Sequence, residues 1–328
     1  MGDNELKQLV ADTGRILLEK GLVARTWGNI SARKDEKKFA ISPSGLGYEN
    51  MTADDVPIFD SETETWEGKR KPSSEKKIHA AAYRNYPDVN FVIHTHQDYA
   101  TAVGLVSADV LKPTEEEKAL LGNIEIAGYG LPGTGKLKDN VEIALKKGAK
   151  VVLMVHHGAL ILGKDREDAI RKAEVLETVC KRAVDEKLID NSNIEPPKEL
   201  SKEMKAACRD LVVISDTNLL LMGQIGGFRA QLDDMAQMLG AKLHAVENDD
   251  RKILNALNKH DAVLVKDVGC LILTEALDDA EALKLIVTKA AMAKRYTLAC
   301  GVDKKLSKFD CNLMRQVYKM KYSKKKEG

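Results

Sequence analysis

The chain has 328 residues, 44% hydrophobic and 31% charged, with a formal charge of +1 at pH 7. That length suits one large core or two modest ones, and the near-neutral balance leaves no electrostatic footprint for nucleic acid. No apolar run reaches the roughly 20 residues that cross a bilayer, and the N-terminal MGDNELKQLV lacks a basic segment followed by an apolar core, so it reads as no secretion signal.

Apolar positions at Leu6, Val10, Ile16 and Leu17 predict an amphipathic helix over residues 4–20, stopped at Gly21. Trp27-Gly28-Asn29-Ile30-Ser31 reads as a strand or tight turn, and residues 39–42 as a short strand entering the turn Ser42-Pro43-Ser44-Gly45. A polar hairpin is expected over 56–70. Pro72-Ser73-Ser74-Glu75 then opens a helix, with Ser73 or Ser74 as its cap and its end before Pro87. Further strands are expected at 89–94, 124–127 and 151–155, and helices at 115–122, 139–147 and 165–187. The alternation predicts a layered α/β domain with strand direction left open.

Residues 191–199 (NSNIEPPKE) read as a linker, because polar residues and two prolines interrupt the preceding helix. The pattern then recurs. Residues 261–273 (DAVLVKDVGCLIL) resemble 150–162 (KVVLMVHHGALIL), and 211–216 resemble 90–95; each longer stretch precedes a long helix, here 278–298. This alignment sets Ser215 and Asp216 near the place of His94, and Asp267-Val268 at that of His156-His157. The second half is therefore expected to be a shortened copy that keeps its packing and loses its ligands. The basic stretch 319–326 reads as a frayed, solvated tail. Five cysteines (180, 208, 270, 300, 311), odd in number and without paired metal spacing, suggest reduced thiols in a cytoplasmic protein.

The chemistry concentrates in the first half, which holds five of the seven histidines between positions 79 and 157. His94 and His96, at i and i+2 of a strand, present two imidazoles to one face. His156 or His157 would supply a third nitrogen and leave an open coordination position. Imidazoles with one carboxylate favour Zn2+, and Mn2+, Co2+ or Fe2+ fit similar geometry. Asn29, Ser44 with the Gly45 backbone, and Ser73-Ser74 at a helix start are short neutral donors of the kind that cradle phosphate. The glycine-rich 128–135 (GYGLPGTG) lacks the ending and spacing of a nucleotide loop.

Gly28-Asn29-Ile30-Ser31, Ser42-Pro43-Ser44-Gly45, Pro72-Ser73-Ser74-Glu75, His94-Thr95-His96, Tyr129 with Gly133-Thr134, and His157-Gly158 occur here in order. Over about residues 5–188 the chain resembles the class II aldolase/adducin family, the group typified by L-fuculose-1-phosphate aldolase. The resemblance implies a three-layer α/β/α domain at 1–190; the linker 191–199 and the truncated, degenerate copy at 200–328, read from the repeat, depart from the family's usual short tail. It implies His94, His96 and His157 as metal ligands, with Thr26, Asn29, Ser44, Gly45, Ser73 and Ser74 around a phosphate. Glu75 would be the catalytic acid/base, also touching the metal at rest, and Tyr129 a proton donor at a subunit interface. The activity implied is cleavage of a phosphorylated ketose, a ketose 1-phosphate, to dihydroxyacetone phosphate and an aldehyde. Decarboxylase, dehydratase and epimerase chemistries share this scaffold, and adducin-like members are non-catalytic interaction modules. The family's 4-epimerases usually carry Asp where this chain has Glu75. A homo-oligomer, dimer or tetramer, is expected, with the second half as a structural pseudo-subunit and no nucleic-acid or membrane partner.

Overall fold

In a computed structural model, which describes residues 1–188, 194–208, 210–274 and 276–326, the chain divides into two compact units, Met1–Val184 and Asp185–Gly328. The first contains α1 (Asp3–Glu19), β1 (Asn29–Arg33), β2 (Lys38–Ile41), β3 (Ile58–Asp60), β4 (Trp66–Glu67), α2 (Lys76–Asn85), β5 (Phe91–Thr95) and α3 (Asp98–Gly104). It continues through α4 (Glu115–Leu121), β6 (Asn123–Ala127), α5 (Gly135–Lys146), β7 (Ala149–Met154), β8 (Gly158–Gly163) and α6 (Arg166–Leu188). The eight strands form one sheet in the order β4-β3-β2-β1-β5-β8-β7-β6. Every pair is antiparallel except β6 with β7.

Alternation of side chains along these strands builds the layers. Phe39, Ile41, Val92, Val152, Met154, Leu160 and Leu162 point to one face, where they pack with Ile78, Ala82, Leu137 and Val141 of α2 and α5. Ile30, Ala32 and Ala40 point to the other face, towards α1, and Leu153 towards α3. Gly158 permits the central contact: a Cβ there would lie 2.1 Å from the Thr95 carbonyl oxygen, so β8 reaches β5 only with glycine at this position.

The expected helix cap is corrected. Glu75 itself is the N-cap of α2, while the Ser73 hydroxyl accepts from the Glu75 amide at 3.2 Å. α5 begins at Gly135, four residues earlier than expected, because Thr134 caps it. Neither α3 nor β8 was among the expected elements.

The second unit contains α7 (Lys202–Ala207), β9 (Val212–Ile214), α8 (Thr217–Gln224), β10 (Gly227–Arg229), α9 (Asp233–Leu239) and β11 (Lys242–Val246). After these come α10 (Asp250–Leu257), β12 (Ala262–Val265), β13 (Gly269–Ile272), α11 (Leu277–Ala299) and α12 (Lys308–Lys326). Its sheet runs β10-β11-β12-β13-β9. Strand for strand and direction for direction, β9-β13-β12-β11 reproduces β5-β8-β7-β6. Strands matching β1 to β4 are missing among the described residues of this sheet.

Register corrects the repeat alignment by two residues. Thr95 faces Ala159, the residue after Gly158, and Ile214 faces Cys270, the residue after Gly269. Val213 therefore takes the place of His94 and Ser215 that of His96; Asp216, instead of continuing the strand, caps α8 through two backbone amides. Val268 takes the place of His157 as expected.

The expected linker falls partly on 191–193, outside the described residues, and 194–199 has no regular structure. The basic stretch is not frayed but continues α12, whose earlier residues Cys311 and Met314 are buried where the helix packs on α9, while Lys319 and Met320 are exposed as expected. All five cysteines are free thiols. Among the described residues, no helix is long and apolar enough to cross a membrane.

Two outcomes follow from this packing. Gly158→Ala should destabilise the protein by about 1–3 kcal/mol, read as a lowered midpoint in thermal unfolding. Glu117, in the capping box of α4, accepts from Arg182 and from the Thr114 amide, which together hold its carboxyl down to about 2, against 4.5 ordinarily. A depressed folded-state pKa contributes stability above the unfolded value and loses it as pH falls between 4.5 and about 2. Thermal melts of Glu117→Gln should therefore be lowered at pH 7 and depend less on pH across that acid window.

Candidate active site

β5 places the first histidine of the cluster. His94 pairs across the sheet with Asn29 of β1 and Leu160 of β8, so its ring projects from the face covered by α2. His96 follows just beyond the strand end, and His157 lies in the hairpin between β7 and β8. The three rings form a tight triangle with centroids 4.9, 4.8 and 4.7 Å apart. His94 and His157 are buried, and His96 is half-buried.

The nitrogens converge. His94 Nε2 is 3.1 Å from His96 Nε2, and one ligand nitrogen from each of the three histidines lies within 4.8 Å of the others. Tetrahedral coordination with metal–nitrogen bonds of about 2.0–2.1 Å separates neighbouring donors by roughly 3.3 Å. His94 Nδ1 lies 2.9 Å from the Ala159 carbonyl oxygen. That acceptor requires the proton on Nδ1 and turns the Nε2 lone pair towards the other rings. In donor chemistry and spacing, the cluster fits a divalent cation.

Glu75 completes the cluster from the start of α2. Its Oε1 is 2.8 Å from His157 Nε2 and its Oε2 is 3.2 Å from His94 Nε2, while Asn29 Nδ2 donates to Oε2 at 2.9 Å. Burial alone would push this carboxyl up; the neighbouring imidazoles of His157 and His94 outweigh that and hold it well below the usual carboxylate range. The carboxylate thus approaches the centre that the imidazoles surround.

The serine loops lie beside this cluster. Ser44 N donates to the Lys71 carbonyl at 2.9 Å and Ser73 N to the Ser42 carbonyl at 3.1 Å, lacing segments 42–45 and 71–74 together. Ser44, Gly45 and Ser74 are exposed, and Ser73 is buried. Gly28 allows the approach of β1: a Cβ there would be 2.5 Å from the His94 carbonyl oxygen. Thr26 is half-buried in the turn before β1.

Tyr129 reaches the cluster indirectly, packing its ring edge-on against His156 at 5.1 Å and 88°. His156 is held at φ 70°, so its ring leaves the triangle that His157 joins. Sequence reasoning gave no role to His79, which is fully buried against Asn29. Its signal was available, since Glu75 and His79 stand at i and i+4 and so share a helix face.

The Class II Aldolase and Adducin N-terminal domain matches residues 8–184, and the chain belongs to this family. L-Ribulose-5-phosphate 4-epimerase UlaF of Salmonella typhi is 34% identical over 194 residues, 55% of this chain and 84% of the relative. The corresponding protein of Salmonella paratyphi C is 35% identical over the same shares. Among solved structures, an L-fuculose 1-phosphate aldolase aligns at 27% identity and a TM-score of 0.51, covering 62% of this chain and 93% of its own. YgbL of Klebsiella pneumoniae aligns at 21% identity and a TM-score of 0.51 over 62% of this chain and 97% of its own, a likeness of fold alone.

Protein loaded with a divalent cation and desalted should retain about one ion per chain by elemental analysis, the stoichiometry of a three-nitrogen site. His94→Ala and His157→Ala should each abolish retention. Undiminished metal in both variants would remove the histidine cluster as its site.

Proposed function

We propose that this protein is a metal-dependent aldolase, with Zn2+ as its cation, that cleaves a ketose 1-phosphate to dihydroxyacetone phosphate and an aldehyde. The observation that carries this reading is the Glu75 carboxylate, buried against both His94 and His157 and beside the laced serine loops. Family membership supports the class of chemistry, and the glutamate at position 75 supports aldol cleavage within it.

Cleavage removes the proton of the C4 hydroxyl, breaks the C3–C4 bond and returns a proton to C3. Glu75 is assigned the proton at C3, and Tyr129 exchanges the proton of the C4 oxygen. His94, His96 and His157 would hold the cation, which when bound supplies positive charge against the negative charge developing on substrate oxygens. Ser44, Gly45, Ser73 and Ser74, with Asn29 and Thr26, are assigned the phosphate. Holding the phosphate at the loops and the carbonyl end near Glu75 removes much of the orientational cost. One amide proton of Asn29 is committed to Glu75, which leaves the other for the substrate.

A second reading follows from the epimerase relatives, namely inversion at C4 of a ketose 5-phosphate such as L-ribulose 5-phosphate. The second unit, reproducing the β5–β8 topology without the histidines, is assigned a structural role in a homo-oligomer.

The test incubates metal-loaded protein with a panel of ketose 1-phosphates and follows dihydroxyacetone phosphate, with L-ribulose 5-phosphate and its 4-epimer assayed in parallel. Triose phosphate release, reduced about 10²–10⁴-fold in Glu75→Gln with metal retained, is the expected outcome. Interconversion of the pentulose phosphates without triose release would replace the aldolase with the epimerase. Inactivity of the metal-loaded protein on both would count against an enzyme of either kind.

A further inference from the structure

α2 and β1 meet along a row of polar side chains of which the proposed chemistry uses only Glu75 and Asn29. Glu75, His79 and Tyr83 stand at i, i+4 and i+8 of the helix start; Asn29, Ser31 and Arg33 stand at alternate positions of the strand. Two strand residues advance about 6.6 Å and four helix residues about 6.0 Å, so the two rows keep step. Asn29 meets both Glu75 and His79, Ser31 meets His79 and Tyr83, and Arg33 lies over the Tyr83 ring at 4.6 Å.

The carboxylate end sets the direction of every proton in this row. An ionised carboxylate only accepts, so the Asn29 amide must turn its NH2 to Glu75, leaving Oδ1 for His79. His79 must then carry its proton on Nε2 to donate to Asn29. Its Nδ1 accepts from the Ser31 hydroxyl at 2.7 Å, and Ser31 Oγ in turn accepts from the Tyr83 hydroxyl at 2.7 Å. Asn29, Ser31, His79 and Glu75 are all buried, so solvent offers no substitute partners.

We propose that His79 is a positioning residue: as the Nε2–H tautomer it fixes the orientation of the Asn29 amide, which in turn holds the Glu75 carboxylate towards His94 and His157. This deepens the reading of Glu75 as the acid/base and rests on it. Without the imidazole, Asn29 Oδ1 loses its donor and the amide is free to rotate. Its oxygen would then face the carboxylate for part of the time and repel it. The serine loops and the three imidazoles of the cluster are untouched by this change. The effect should therefore fall mainly on turnover, with a smaller loss of substrate binding through Asn29, and spare metal retention.

The experiment compares wild type, His79→Leu and His79→Gln as metal-loaded full-length protein. His79→Leu should lower kcat about 10–100-fold, in the range seen when outer hydrogen-bond partners are removed. Metal content should stay within twofold of wild type, and KM should rise by less than kcat falls. His79→Gln, whose amide nitrogen can reach Asn29, should recover most of the loss. A folded His79→Leu with wild-type kcat, or a Gln variant as impaired as Leu, would overturn the proposal.

Long-range ¹H–¹⁵N histidine spectra of the wild type provide a readout that needs no substrate and no folded variant. The neutral Nε2–H pattern is expected for His79, and an Nδ1–H pattern would overturn the proposal even if the variants fail to fold. If wild type turns over none of the sugar phosphates, the functional reading fails while the tautomer still decides the orientation of Asn29.

Discussion

The pairing of β5 with β8 governs everything at the site. Thr95 faces Ala159 and His94 faces Leu160, and this register holds only because Gly158 presents no side chain to the Thr95 carbonyl. A neighbouring glycine, Gly28, does the same service for the His94 carbonyl from the β1 side. The last two carbonyls of β5 are thus closely flanked by backbone, which leaves the His94 ring a narrow choice of direction. His157, one residue before Gly158, is delivered to the same place by the same contact. The geometry of the histidine cluster is therefore a property of backbone proximity before it is one of side-chain preference.

Electrostatics then follow from position. Three imidazoles and a carboxylate share a volume from which water is largely excluded, an arrangement that is costly unless charges compensate. Asn29 and the His79 row provide neutral donors on one side, and the imidazoles face the carboxylate on the other. His79 itself is held neutral, because burial pushes its imidazole down to about 3 and nearby His94 adds to the effect. Between Glu75 and Arg33 the members of the polar row, Asn29, His79, Ser31 and Tyr83, add no charge of their own to the cluster.

Much of this was legible in the sequence for identifiable reasons. The His94/His96 pair is visible because a strand's two-residue period is visible, whereas the close approach that requires Gly158 emerges only once β8 lies beside β5. Glu75 was recognisable as a helix-start residue, although not as the cap itself, since Ser73 and Ser74 compete for that assignment by type. β8 was overlooked because its apolar run, Gly158–Gly163, has no polar alternation when both faces are covered. The role of His79 was hidden for a related reason. A histidine inside an alanine-rich helix face reads as core until the strand that presents Asn29 and Ser31 is placed across from it. The two-residue slip at β9 arose where a three-residue strand runs into a capped helix, and similarity of apolar letters could not locate the boundary.

The hairpin that carries His157 has one more property. His156 and Asp267 occupy the matching place in the two sheets, at φ 70° and 60°, a left-handed conformation that non-glycine residues seldom adopt. An imidazole in one and a carboxylate in the other share nothing but this backbone. The bend has thus outlasted divergence of the side chain mounted on it. Tolerance at position 156 is accordingly set by torsional strain: asparagine or glycine would preserve the bend, whereas valine or isoleucine would oppose it and drag the adjoining His157 out of place.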